Sequence, residues 1–231
     1  MKSFVDHYDQ IRNYEFEIQQ FTNLTKTTHH AREMGVVDGV SLWLFEAINS
    51  NGILITSGWQ GDEPAGWNAS KSLCSVLSTC SFIPIVSPSC FATRHHRNAL
   101  GKNIDREWPN PITSEGGILK GMTKDIVRLG KRAFISLQED PKRFISYFYA
   151  WNETNALSEI ISTKLSQHFP LSETPKHTPP NGLFCEYAVQ SGCERAIQIE
   201  TPADGSFPLS KRIDCQIDVV KSIVKTINSS L

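Results

Sequence analysis

Three short polar stretches that each follow an apolar run hold the residues of this 231-residue chain best placed to do chemistry. The first, Gln60-Gly61-Asp62-Glu63-Pro64-Ala65-Gly66, follows the run Gly52 to Trp59. Gln60 and Glu63 stand three apart at a strand-to-helix turn, which lets two oxygen or nitrogen donors converge on one point. Gly61 and Gly66 permit a tight turn and close packing, and Pro64 suits the first turn of a helix. The second, Gln138-Glu139-Asp140-Pro141, follows Ala133 to Leu137, and the third, Glu200-Thr201-Pro202, follows Ala196 to Ile199. A polar stretch from Arg94 to Pro109 adds His95, His96, Arg97, Asp105 and Arg106. Carboxyls at strand ends can carry protons or ligate a cation, and a guanidinium can clamp a substrate carboxylate.

These residues need a scaffold that brings the strand ends together. Periodicity predicts a loose helix over 4–21 and strands over 39–48 and 52–59, with a hairpin or tight turn at Asn49 to Gly52. Helices are expected over 64–79, 116–130, 155–168 and 209–227, the last with Ile213, Ile217, Val220, Ile223 and Val224 on one face. Strands are expected over 82–86, 133–137, 145–151 and 196–199. Leu171 to Gly182, with three prolines and a glycine, reads as a surface loop or flap. The alternation predicts an α/β fold with a mixed, largely parallel sheet covered by helices on both faces, in a single domain spanning 1–231. In such sheets sites gather at the carboxyl ends of the strands.

Composition narrows the function classes. Lys plus Arg number 23 and Asp plus Glu 24, for a net charge of −1. That balance argues against nucleic-acid binding and gives no polybasic membrane signal. No run approaches 18 apolar residues, and Met1 to Phe16 lacks the apolar core of a signal peptide, so a cytoplasmic location is expected, or a periplasmic one if a signal was removed. Six cysteines without a C-x-x-C pair read as reduced, buried thiols; a Cys185–Cys193 contact is left open. The glycosylation patterns at Asn23, Asn68, Asn152 and Asn228 read as chance.

The order of motifs resembles the zinc carboxypeptidase superfamily, closest to the short bacterial branch grouped with succinylglutamate desuccinylase and aspartoacylase. That branch carries H-G-D-E-P-A-G, L-N-P, N-A-x-G-x-D-L-N-R, S-L-H-E-D and E-T-P in this order. The present chain offers QGDEPAG at 60–66, VSP at 86–88, NALGKNIDR at 98–106, SLQED at 136–140 and ETP at 200–202. The resemblance runs from about residue 50 to the C-terminus and leaves the expected N-terminal helix, 1–25, outside it.

The resemblance implies a metal-dependent carboxypeptidase or amidase acting on a small carboxylate-bearing peptide or acyl-amino acid, with peptidoglycan-derived peptides the most plausible class. Its zinc ligands would be Gln60, Glu63 and Gln138, where the family has His, Glu and His. A neutral amide oxygen is a weaker zinc ligand than imidazole. Three outcomes stay open: a weak zinc site, a metal held with help from another residue such as His95 or His96, or no metal. Glu200 falls at the position of the general base and acid, and Arg106 at that of the carboxylate clamp. Asp105 replaces the usual Asn and is expected to hold or orient Arg106. Arg97, or Arg94, falls near the arginine that polarises the scissile carbonyl. Tyr147 and Tyr149 match the branch's Y-x-Y substrate contacts, although alternate residues on one strand face explain them as well. His29-His30-Ala31-Arg32-Glu33 looks like an H-x-x-E zinc motif, but the polar segment before it is the wrong context. The alternative function is a carboxypeptidase-like binding protein that has lost tight zinc binding. Oligomeric state is not legible.

Overall fold

The computed structural model describes residues 4–37, 39–98, 100–203 and 205–229. Ala99 of the NALG turn lies outside them, as do the side chains of Phe4, Tyr8 and Ile11 from the expected first helix. The elements run α1 (Phe4–Thr25), β1 (His29–Val37), β2 (Val40–Ala47), β3 (Ile53–Thr56), α2 (Pro64–Cys74), β4 (Ser81–Ile83), α3 (Pro88–Thr93) and a 3₁₀ turn at Ile104–Arg106. They continue with α4 (Ser114–Gly121), α5 (Thr123–Leu129), β5 (Ala133–Asp140), β6 (Ser146–Trp151), α6 (Asn155–His168), β7 (Leu171–Lys176), α7 (Phe184–Gln190), β8 (Ala196–Pro202) and α8 (Leu209–Asn228).

The eight strands form one mixed sheet in the order β1-β2-β4-β3-β5-β8-β6-β7. Its centre, β4-β3-β5-β8, is parallel, and β6 runs antiparallel to β8. The central strands are buried along their length, apart from Asp140 at the end of β5, because helices cover both faces. Strand alternation divides the core. Ile53, Ile55, Ile135, Leu137, Ile197 and Ile199 pack with α1, α2, α6 and α8. Leu54, Phe134 and Ala196 pack on the other side with α4, α5 and α7. Val219, Val220, Ile223, Val224 and Ile227 line the buried stripe of α8, each contributing roughly 1.5–3 kcal/mol when fully buried.

Several expectations are corrected. The turn at 49–52 is not a hairpin, because β4 lies between β2 and β3. An all-buried strand such as β3 finds its partners in the parallel centre, β4 and β5. The hairpin partner of β2 is β1, in a segment to which the sequence reading assigned no element. Its pattern is that of a half-exposed strand at the sheet edge, where charged residues such as Arg32 and Glu33 are tolerated. Gly39, at φ 83°, supplies the turn between them. The helix expected over 116–130 is two, α4 and α5, and that over 64–79 stops at Cys74. Leu171–Lys176, expected as loop, is the outer strand β7, parallel to β6. The six cysteines are unpaired and buried, so Cys185 and Cys193 stay separate thiols. No described helix is long and apolar enough to cross a membrane.

Candidate active site

The carboxyl ends of β3, β5 and β8 open into a cleft of about 840 Å³ lined by Gln60, Asp62, His96, Gln138, Gln198 and Glu200, with Arg97, Lys102, Arg106 and Lys142 among the cations. Strand register builds its floor. Gln138 on β5 faces Glu200 on β8, and Glu200 faces Tyr147 on β6, so the three lie in one row across three strands. Ser136 and Gln198 form the next row on the same face. Gln60, Asp62 and Glu63 enter from the turn between β3 and α2. Gly61 makes that turn possible: a Cβ there would lie 1.7 Å from the Cys90 carbonyl oxygen. Its N–H donates to the His95 carbonyl at 2.9 Å, which ties the turn to the loop carrying His96.

The carboxyls of Glu63, Asp105 and Glu200 are buried. Glu63 is 3% exposed, and its Oε2 accepts from the Glu139 N–H at 3.2 Å. Burial, then the nearby Glu200, Glu139 and Asp62, push its carboxyl well above the ordinary range. Glu200 is pushed up to about 8, first by burial; a 2.8 Å hydrogen bond from Gln198 Nε2 and the charge of Arg106 oppose the shift. Asp105 is buried and its carboxyl is raised by that burial. It does not hold Arg106 as expected. Its oxygens accept from Gln138 Nε2 at 3.0 Å and from the Phe184 N–H at 3.4 Å, because the 3₁₀ turn points Asp105 inward and leaves Arg106 exposed. Among the described residues Arg106 forms no ion pair within 4.0 Å.

The remaining candidates divide. Arg97 lines the cleft and donates to the Gly101 carbonyl at 2.9 Å. Arg94 lies over the Phe91 and Trp67 rings, 4.5 and 5.2 Å from their centroids, and is not among the lining residues. Tyr147 lines the cleft, donates to Asp140 Oδ2 at 2.7 Å and stacks on His177. Burial pushes its phenol up. Tyr149 stands behind Tyr147, ring centroids 5.5 Å apart, packed near Leu183 and away from the lining. His29 is a satisfied core histidine: Nε2 donates to the Cys80 carbonyl at 2.8 Å, and Nδ1 meets Thr28 Oγ1 at 2.8 Å. His95 is exposed, whereas His96 stands 3.5 Å from Glu63. Gln198 and Asn103 are site residues that sequence reasoning missed. Gln198 was within reach, two residues before Glu200 on one strand face, and Asn103 lies inside NALGKNIDR at the place where the resembled motif has Asp.

The metal ligands that the resemblance implies do not fit zinc. In the orientation that satisfies both neighbours, the Gln60 amide donates Nε2 to Glu63 at 2.9 Å and accepts from Asn103 Nδ2 at 3.3 Å. Its nitrogen, not its oxygen, therefore faces the position a metal would take beside Glu63. Gln138 Nε2 is anchored by Asp105 and by Ser136 Oγ, both at 3.0 Å, which leaves only a neutral amide oxygen. Glu63 would be the one strong ligand of the three.

Neither a protein-family model nor a curated protein sequence matches the chain. Solved structures do. A Shewanella amazonensis SB2B protein described as a candidate metallopeptidase superposes with a TM-score of 0.82 at 21% identity, covering 94% of this chain and 93% of that one. A Shewanella denitrificans OS217 protein described in the same way gives 0.83 at 20%, covering 94% and 90%. The Helicobacter pylori cell shape determinant Csd4, solved with a bound tripeptide, gives 0.60 at 17%, covering 76% and 51%. At these identities the likeness establishes a carboxypeptidase-like fold.

Proposed function

We propose that the cleft receives a small peptide or acyl-amino acid by its carboxylate and that the protein hydrolyses the adjacent amide. The observation that carries this reading is the pairing of an unengaged guanidinium, Arg106, with a buried carboxyl, Glu200, in one cleft of substrate size. A guanidinium offers a planar fork that matches a carboxylate. Glu200 holds a proton near neutral pH and sits where it can pass one to a leaving amine. Arg97 is the group to polarise the amide carbonyl, and Tyr147 walls the cleft beside Glu200. The tripeptide in the Helicobacter pylori neighbour supports a peptide ligand, and peptides of the kind peptidoglycan supplies are the class we favour. A specific observation favours a second reading, a binding protein without turnover: the amides of Gln60 and Gln138 are spent on hydrogen bonds where the fold's enzymes need metal ligands.

The test is incubation with muropeptides and N-acyl-amino acids, products read by mass spectrometry, beside equilibrium binding of the same compounds. Cleavage that Glu200→Gln abolishes while binding survives supports the hydrolase. Binding without cleavage supports the second reading. Arg106→Lys should weaken binding in either case, since it loses the fork; unaltered affinity would remove Arg106 from its role.

A further inference from the structure

The misfit at the implied ligand positions stands beside a second donor set that fits better. His96 Nδ1 lies 3.4 Å from Asp62 Oδ1 and 3.5 Å from Glu63 Oε1, and the three ligand atoms fall within 4.8 Å of one another. Neither short separation is a hydrogen bond. Asp62 Oδ1 and His96 Nδ1 are both closed off from solvent and have no hydrogen-bond partner. The two side chains are 32% and 38% exposed, so it is their facing ligand atoms, 3.4 Å apart, that an ion between them would satisfy. Zinc bonds to imidazole nitrogen and carboxylate oxygen are roughly 2.0–2.2 Å long, so neighbouring ligands of a tetrahedral ion stand about 3.3–3.6 Å apart. The His96 separations match that edge.

We propose that Asp62, Glu63 and His96 hold a divalent transition-metal ion of the zinc type, displaced from the Gln60–Glu63–Gln138 position toward the cleft mouth. One imidazole among the donors favours zinc and its neighbours over calcium or magnesium, which prefer oxygen alone. Two carboxylates balance the ion's charge, and Glu63, 3% exposed and fixed by the Glu139 N–H, is a pre-set anchor. Asp62 and His96 line the cleft, so a fourth position opens toward it. The turn itself supplies the geometry. Gly61 brings the backbone against residues 90 and 95, and that contact carries His96 over the neighbouring Asp62 and Glu63. The proposal does not depend on hydrolysis, because it concerns binding of the ion alone.

The experiment is calorimetric titration of the chelator-stripped full chain with Zn²⁺, and with Co²⁺ read by its visible absorption, which reports coordination number. Wild type should bind one ion. His96→Ala and Asp62→Asn should each weaken binding by roughly 100-fold or more, beyond the 10–100-fold that an outer residue costs. Gln138→Ala and Gln60→Ala should change it less than about threefold. Circular dichroism and melting of each stripped variant confirm folding, and the more conservative His96→Gln covers the case in which His96→Ala unfolds. Loss of binding in Gln138→Ala with retention in both His96 variants would put the ion at the other position and overturn the proposal. So would wild-type protein that binds neither ion at about 100 μM.

Discussion

Replacing Glu200 by glutamine removes a buried charge while preserving shape, and its effect on stability should depend on pH in a defined way. The side chain is 6% exposed and its carboxyl is pushed up to about 8, mainly by burial, with Asp140 and Asp105 adding to the shift. In the unfolded chain a glutamate titrates near 4.3. A carboxyl whose folded pKa is raised contributes stability that is fully present below the unfolded value and is lost as pH rises through the folded one. Within that window each pH unit costs the wild type up to about 1.4 kcal/mol. Glu200 shares its cleft with other raised carboxyls, so from pH 5 to pH 7.5 the variant should gain about 1–3 kcal/mol relative to wild type. For a chain of this length that is roughly 2–12 °C in melting temperature. The two should converge as pH falls toward 4, with only about 1 kcal/mol between them at pH 5, since the substituted amide can keep the 2.8 Å hydrogen bond from Gln198 through its own oxygen. The assay is thermal melting in chelator-containing buffer from pH 5 to 8. A difference that does not change with pH, or a wild type that gains on the variant as pH rises, would refute the argument. Because the same change removes the proposed proton carrier, turnover should vanish as stability rises, the usual trade at an active site.

Four further outcomes follow from sites outside that titration. Burial lowers the His29 pKa, so the neutral ring stabilises the fold above about pH 6.5 and that stability falls as pH drops below it; His29→Gln should flatten the acid limb of a urea-derived stability curve, and parallel limbs would count against it. Gly61→Ala would place a methyl 1.7 Å from the Cys90 carbonyl and should cost more than about 3 kcal/mol or prevent folding. Gly117→Ala, in α4 with nothing within 4 Å of the new Cβ, should raise the melting temperature slightly, by about 0.5–1 kcal/mol in stability; similar losses in both glycine variants would show the turn to be unexceptional. Arg212, on α8, pairs with the fully buried Glu139, which also accepts from the Ala65 N–H of α2 at 2.7 Å. Arg212→Met should therefore cost about 3–5 kcal/mol in chemical denaturation, and adding Glu139→Gln should recover part of it; no recovery would mean that the pair matters by packing alone.

The strand ends were legible because each polar stretch follows a run too apolar to be anything but core. That is enough to bring Gln60, Glu63, Gln138 and Glu200 to one edge of the sheet. What was not legible was pairing between segments distant in sequence. The insertion of β4 between β2 and β3 is decided by which strands need burial on both faces, and no local pattern records it. β1 escaped notice because an edge strand with one wet face carries charges and loses the alternation that marks a strand, although Asp38-Gly39 was a hairpin signal in plain view. The partner of Asp105 was misjudged for a related reason. Adjacent residues invite pairing on paper, but on a tight turn Asp105 points in and Arg106 points out.

Alternation also explains why the two motifs of the site each carry two roles. On β5, Gln138 faces the cleft, while Glu139, one residue on, faces the helices and ties α2 and α8 to the sheet. On β8, Glu200 faces the cleft, while Thr201 meets Gln216 of α8 at 3.0 Å on the other side. Gln216 also donates to the Gln138 carbonyl at 3.0 Å, so the helix grips the backbone of the very residue whose side chain enters the cleft. A one-residue slip of either strand would exchange these roles and bury the cleft's carboxyls against apolar helices. The anchoring residues therefore hold the register that places Gln138, Glu200 and Tyr147 in one row. This is why a change at Glu139 or Arg212, which do not face the cleft floor, should disturb its chemistry as well as its stability.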